Sequence, residues 1–144
     1  MKKLLIGATI IGLIPTLSFA EDKPGFHFIE SWDLNDNGSV SLEEITERRG
    51  DVFFMFDQDE NGILNAEEYV LFDETRAADM ENNAGSHGKR AGRIQEGLTL
   101  AFNDSDADGE VSKAEFLANS TSWVTQIDRD SDGMITAADF GPKR

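Results

Sequence analysis

Four twelve-residue strings in this chain obey one rule, and that rule leaves few conformations open. They are residues 33–44 (DLNDNGSVSLEE), 57–68 (DQDENGILNAEE), 104–115 (DSDADGEVSKAE) and 128–139 (DRDSDGMITAAD). Each has Asp at place 1, Asp or Asn at places 3 and 5, Gly at 6, an aliphatic residue at 8, Ser, Thr or Asn at 9 and a carboxylate at 12. One such string is an ordinary turn signal, since Asp, Asn and Gly form turns anyway; four in the same register are not. Only a tightly wound loop gathers so many side-chain oxygens from one short segment, and a hard cation is what asks for six to eight oxygens at a point. The glycine permits the winding because, without a Cβ, it tolerates positive φ.

The spacing between strings constrains the fold next. Asp33 to Asp57 is 24 residues and Asp104 to Asp128 is again 24, so twelve residues separate the loops of each pair. Ahead of the first, residues 26–32 carry Phe28, Ile29 and Trp32 at helical spacing. After the second, 66–81 read as an exiting helix, followed by a Gly- and Asn-rich linker at 82–88 and a helix over 89–103 leading into the third loop. The expected organisation is a leader at 1–20, one loop pair in 21–81, the linker, and a second pair in 89–144. Leu42, Ile45, Arg49, Val52, Phe53 and Phe56 fall on one 3.6-residue stripe, as do Phe116, Leu117, Ser120, Trp123, Val124 and Ile127. A turn between sequential loops would have reset that phase, so each pair is expected to share one continuous helix, about 21 Å long over 42–56. Loops at opposite ends of such a helix cannot pair with each other. The place-8 residues Val40, Leu64, Val111 and Ile135 are then expected to pair across the halves, Val40 with Ile135 or Leu64 with Val111. Pairing within each half is the alternative, because Gly50 and the run Asn119-Ser120-Thr121-Ser122 are poor helix formers.

These four strings resemble the calcium loops of the EF-hand superfamily, in a four-loop plan similar to that of calmodulin-like proteins and in an exported bacterial type with short interloop spacing. The resemblance covers nearly all of the chain beyond residue 20. It implies an all-α fold of four helix–loop–helix motifs in two closely spaced pairs, with short β contacts between loops. It also implies ligands at places 1, 3, 5, 7 (through the backbone carbonyl), 9 and 12. Those are Asp33, Asn35, Asn37, Ser39, Ser41 and Glu44 in loop one, and Asp57, Asp59, Asn61, Ile63, Asn65 and Glu68 in loop two. Loop three supplies Asp104, Asp106, Asp108, Glu110, Ser112 and Glu115, and loop four Asp128, Asp130, Asp132, Met134, Thr136 and Asp139. Up to four Ca²⁺ ions are implied, with loop three the tightest.

The departures carry information too. Asp139 replaces the Glu at place 12, one methylene shorter, which implies weaker Ca²⁺ binding or better tolerance of Mg²⁺ in the fourth loop. Gly141 and Pro142 follow at once and leave almost no exit helix. Asn103 stands where the other loops are preceded by Trp32, Phe56 and Ile127, so that Leu100 and Phe102 are expected to serve the core from another angle. The short spacing also looks like that of the lanthanide-binding lanmodulin family. Its loops carry Pro at place 2, whereas this chain has Leu34, Gln58, Ser105 and Arg129, so a lanthanide-binding role is the weaker alternative.

Residues 1–20 pair Lys2 and Lys3 with an apolar run from Leu4 to Leu17 and close on Ser18-Phe19-Ala20. This is the pattern of a signal peptide cleaved before Glu21, and its apolar run is shorter than the roughly 20 residues a spanning helix needs. An exported, periplasmic or secreted protein without membrane insertion is expected. Lys2 and Lys3 are the only charged residues of that segment, which leaves 11 of the 13 basic residues against all 28 acidic ones, a net charge of −17. Such a charge calls for cations and repels nucleic acid and anionic membranes. With no cysteine and only His27 and His87, no nucleophile and base are recognisable in a catalytic pattern, and an enzyme is not expected. Lys89, Arg90 and Arg93 read as a solvated helix face. The expected role is a calcium buffer, sensor or calcium-stabilised interaction module. The alternative is a calcium-dependent docking or regulatory subunit of another exported protein. Phe54 and Met55, off the core stripe, are candidates for an exposed contact surface, but the favoured expectation is that they are simply core of a small helical domain.

Overall fold

In this computed structural model the described residues are 23–82 and 91–141, and they are mostly helical with one small two-stranded sheet. The expected leader, residues 83–88 of the expected linker, His87, Lys89 and Arg90 lie outside the described residues. Helix α1 (Phe26–Trp32) runs into the first loop, and α2 (Leu42–Phe56) joins the first loop to the second. Strand β1 (Ile63–Leu64) and α3 (Ala66–Asn82) follow. The second half has α4 (Ala91–Glu96), α5 (Leu100–Asn103), β2 (Val111–Ser112), α6 (Lys113–Ala118), α7 (Ser120–Ile127) and the short α8 (Ala137–Phe140). Among the described residues no helix is long and apolar enough to cross a membrane.

The shared helix of the first pair forms as its phase requires. It starts on a capping box in which Ser41 accepts from the Glu44 N–H and Glu44 reaches back to the Ser41 N–H. It runs through Gly50 without a turn and buries Ile45, Arg49, Phe53 and Phe56. On the edge of the stripe, Val52 is only partly covered and Leu42 is exposed. The second pair departs from expectation. Its helix breaks at Asn119, where ψ is near 0° (φ −77°, ψ −1°), although Asn119 N–H still bonds the Glu115 carbonyl and Trp123 N–H the Asn119 carbonyl. The break is a kink rather than a reversal, so Phe116, Ser120, Trp123 and Ile127 remain on one buried face.

A second difference concerns 89–103, expected as one helix. The chain leaves α4 at Gly97 through tight bonds from Leu98 N–H to Gln95 O and Thr99 N–H to Glu96 O. It restarts at Thr99, whose hydroxyl accepts from Phe102 N–H. The cause is packing: a Cβ at Gly97 would overlap the indole of Trp123, and the chain passes this contact only with a glycine and a turn.

The loops pair across the halves in both places. Leu64 faces Val111 and Ile63 faces Ser112 in the antiparallel β1–β2 pair, while Val40 and Ile135 exchange both backbone bonds, at 2.8 and 2.9 Å. Pairing within each half is therefore overturned: a continuous α2 holds loops one and two at its opposite ends. All four place-8 residues are fully buried, in a core that both halves build. The Trp32 and Trp123 rings meet edge-on at 4.8 Å between centroids, and Phe53 packs on Phe116 at 5.8 Å. Gly25, at φ 83°, lets the chain enter α1 directly beneath the Phe140 ring.

Candidate metal centres

Each loop is wound by its own side chains, and the four windings repeat one another. The place-1 carboxylate sits inside the coil and accepts the place-6 glycine N–H: Asp33 from Gly38 at 2.7 Å, Asp57 from Gly62 at 2.9 Å, Asp104 from Gly109 at 3.0 Å and Asp128 from Gly133 at 2.9 Å. The place-5 oxygen accepts from the place-7 N–H, as Asn37 from Ser39, Asn61 from Ile63, Asp108 from Glu110 and Asp132 from Met134, between 2.7 and 2.9 Å. These bonds draw the carboxylate and amide oxygens to the inside of the loop. The glycines at place 6 take φ between 81° and 90°, the left-handed region where a Cβ is penalised.

A second left-handed residue, at place 4 of every loop, has no shared signal in the residue types there. Asp36, Glu60, Ala107 and Ser131 have φ of 57° to 61°. Left-handed backbone costs about 1–2 kcal/mol at a non-glycine residue, and neither Glu60 nor Ala107 is a type that favours it. Repetition at all four loops marks it as a property of the winding, imposed by the bonds on either side.

The place-12 carboxylate closes each loop. Glu44 accepts from the N–H groups of Leu34 (3.0 Å) and Ser41 (2.9 Å), Glu68 from Gln58 (2.8 Å) and Asn65 (3.1 Å), and Glu115 from Ser105 (3.1 Å) and Ser112 (2.9 Å). Asp139, a methylene shorter, makes the same span from Arg129 N–H (2.7 Å) to Thr136 N–H (2.8 Å). It manages this in a loop whose exit helix is only four residues long, where Arg129 also donates its guanidinium to the Gly141 carbonyl at 2.8 Å.

Carboxylate oxygens converge in three of the loops. Those of Asp57, Asp59 and Glu68, of Asp104, Asp106 and Asp108, and of Asp128, Asp130 and Asp139 lie within 4.8 Å of one another in each group. Loop one has only two carboxylates, Asp33 and Glu44, at its side-chain ligand places, with the amides of Asn35 and Asn37 and the hydroxyl of Ser41 at the rest. Such sets of hard oxygens fit a hard cation.

The electrostatics divide the carboxylates into two kinds. Asp106 and Asp130 are held above the ordinary aspartate value, by desolvation in the coil and by the like charges around them: Asp108, Glu115 and Asp104 in one case, Asp132, Asp139 and Asp128 in the other. Glu115 is held below its ordinary value by the Ser112 N–H and hydroxyl. At Glu44 burial works upward, but the bonds from Ser41, Leu34 and Asn35 outweigh it and the net shift is down. Glu44 and Glu115 are thus favoured as anions by the bonds they accept, while Asp106 and Asp130 are crowded by like charges.

Other singled-out residues lie elsewhere. His27 is in α1, 3.4 Å from Asp79 of α3, and Arg93 is exposed on α4. Phe54 and Met55, expected in the core, are each 67% exposed on α2. No protein-family model matches the sequence, and no significant relative is found among curated proteins.

Proposed function

We propose that residues 21–144 form an exported calcium-binding protein of the EF-hand type, with one ion per loop, whose fold is held by the ions it carries. The observation that carries this reading is the fourfold identity of the windings, left-handed at places 4 and 6 with the place-1 carboxylate at the centre. A turn cluster without a ligand has no reason to repeat so closely through four different sequences. The ligands are the residues at places 1, 3, 5, 7, 9 and 12 of each loop. Loop one, with two charged ligands, supports the weakest attraction and loop three, with four and the closing Glu115, the strongest. The chemistry the ion supplies is charge neutralisation: it relieves the repulsion that raises Asp106 and Asp130 and allows the Phe and Trp faces to pack.

Constitutive loading, as buffer or structural ion, is favoured over signalling. A sensor exposes an apolar groove when filled, whereas each half here contributes its inner face to one core closed by two cross-half pairings. Exported calcium modules work with constants of roughly 10⁻⁴ to 10⁻³ M, which suits standing occupancy. A second reading, a calcium-stabilised docking module, draws support from Phe54, Met55 and Val70, exposed by 67, 67 and 56%.

Calorimetric titration of the chelator-treated chain with Ca²⁺, Mg²⁺ and La³⁺ tests the reading. Ca²⁺ is expected to bind, to raise helicity and to raise the melting temperature, with Mg²⁺ competing best at the Asp139 loop. Recovery of no divalent ion in equilibrium dialysis at a supply of about 10⁻³ M, the weak end for such modules, would end it.

A further inference from the structure

One buried cation stands apart from the loops and touches the frame of one of them. Arg49, in the middle of α2, is fully buried, and among the described residues no carboxylate is a hydrogen-bond partner of its side chain. Its Nε and Nη2 donate to the Phe116 carbonyl at 3.1 and 2.6 Å, Nη1 to the Gly97 carbonyl at 3.0 Å and Nη2 to Asn103 Oδ1 at 2.6 Å. Its guanidinium carbon lies 4.0 Å from the centroid of the Phe116 ring. Asn103 is the residue before Asp104, which opens loop three, and Phe116 is the residue after Glu115, which closes it. A single side chain from the helix joining loops one and two therefore grips both ends of loop three.

The corresponding position in the second half shows that this is a special arrangement. Arg49 stands sixteen residues beyond Asp33, and Ser120 stands sixteen beyond Asp104. Ser120 is also buried, yet its hydroxyl has no hydrogen-bond partner among the described residues. Where Arg49 meets Asn103, the other half has the Trp32 ring before loop one, packed on Trp123. Loop one is thus framed by apolar packing and loop three by directed hydrogen bonds. This accounts for Asn103, the one polar residue among the four that precede a loop. Its amide also donates to the carbonyls of Gly97 (3.1 Å) and Thr99 (2.8 Å), so both ends of the Asn103 side chain are satisfied.

We propose that Arg49 is a positioning residue for loop three, which it holds at both ends from the opposite half, so that ion binding there is coupled to the docking of α2. The inference rests on the reading of the loops as calcium sites. Arginine suits the task because its planar fork serves three acceptors at once in a fixed geometry, whereas lysine is a compact point charge whose three donors have no such fork. Filling loop three fixes the distance between Asn103 and Phe116 and so favours the docked arginine; docking, reciprocally, favours the filled loop.

The test follows loops separately in the isotope-labelled full chain by NMR. The Gly109 amide, bonded to Asp104, reports loop three, and the Gly38 amide, bonded to Asp33, reports loop one. In Arg49→Met and Arg49→Lys the Ca²⁺ concentration that half-fills loop three is expected to rise about tenfold, within the usual 5–150-fold range of such couplings. Loop one should move far less, and lysine should lose less than methionine. Val124→Ala, which removes buried volume from α7, controls for general destabilisation and should not separate the two loops. Equal shifts at Gly38 and Gly109, or none, in both Arg49 variants would overturn the positioning role while leaving the calcium reading intact. Failure of Gly109 to respond to Ca²⁺ in the unaltered chain would instead remove that reading and this inference with it.

Discussion

Tyr69 is the only tyrosine of the chain and lies 2% exposed on α3, where its hydroxyl donates to the Leu98 carbonyl at 2.8 Å and receives a bond from Asn103. Burial, above all, pushes its phenol up to about 12. The neutral form is the one the fold favours, so its stabilising share is complete below pH 10 and is lost as pH rises from 10 towards 12. Arg49 runs the other way: burial pulls its guanidinium down to about 10, so the penalty for burying its charge fades above that pH. A tyrosinate absorbance titration should give a midpoint near 12 in the folded chain and near the ordinary 10 in urea; a single midpoint near 10 in both would place the ring in water. Two glycines predict opposite signs at the same scale. Gly97→Ala drives a methyl into Trp123 and should destabilise by about 1–3 kcal/mol. Gly50→Ala places its methyl in open space within a helix and should stabilise by about 0.5–1 kcal/mol. Thermal or urea melts of the two variants measure both.

At the level of elements, what the sequence made legible was whatever rested on periodicity and on fixed ligand spacing. The unbroken stripe from Ile45 to Phe56 foretold α2, and α2 in turn foretold which loops could not pair. The helix over 89–103 misled for a physical reason. Nothing local to Gly97 announces that Trp123, 26 residues away in the sequence, occupies the space a side chain there would need. Arg49 was legible as a member of the core stripe but not as a hydrogen-bond donor to loop three, because its acceptors are a side chain and carbonyls from the other half. The place-4 residues Glu60 and Ala107 were illegible too, since their φ is set by the surrounding bonds and not by their type. The capping boxes behave otherwise: Ser41 with Glu44, Ser112 with Glu115 and Thr136 with Asp139 each start a helix with the carboxylate that also closes the loop. Replacing Glu115 by Ala should therefore weaken ion binding and the start of α6 together. Calorimetry and helicity of the variant are expected to fall in step, and a loss of affinity at full helicity would separate the two roles.

On the scale of the whole molecule, the crossed pairing makes each half incomplete. Val40 finds its backbone partner in Ile135 and Leu64 in Val111. The indole of Trp32 packs on Trp123, and Arg49 spends its donors on Asn103, Phe116 and Gly97. A fragment of residues 21–82 would expose Ile45, Phe53 and Phe56 and leave a buried-type arginine without acceptors, a combination that a chain of this length cannot offset with a core of its own. Had sequential loops paired, each half would have been a closed unit. The two fragments 21–82 and 83–144 are therefore expected to be largely unfolded when separate, even with Ca²⁺, and to gain helicity when mixed in equal amounts. Circular dichroism of the mixture against the sum of the parts reads this directly. Because both fragments carry an excess of acid, their association should be weak without divalent ions and strengthen as the loops fill. Independent folding of either fragment at full native helicity would contradict the crossed arrangement.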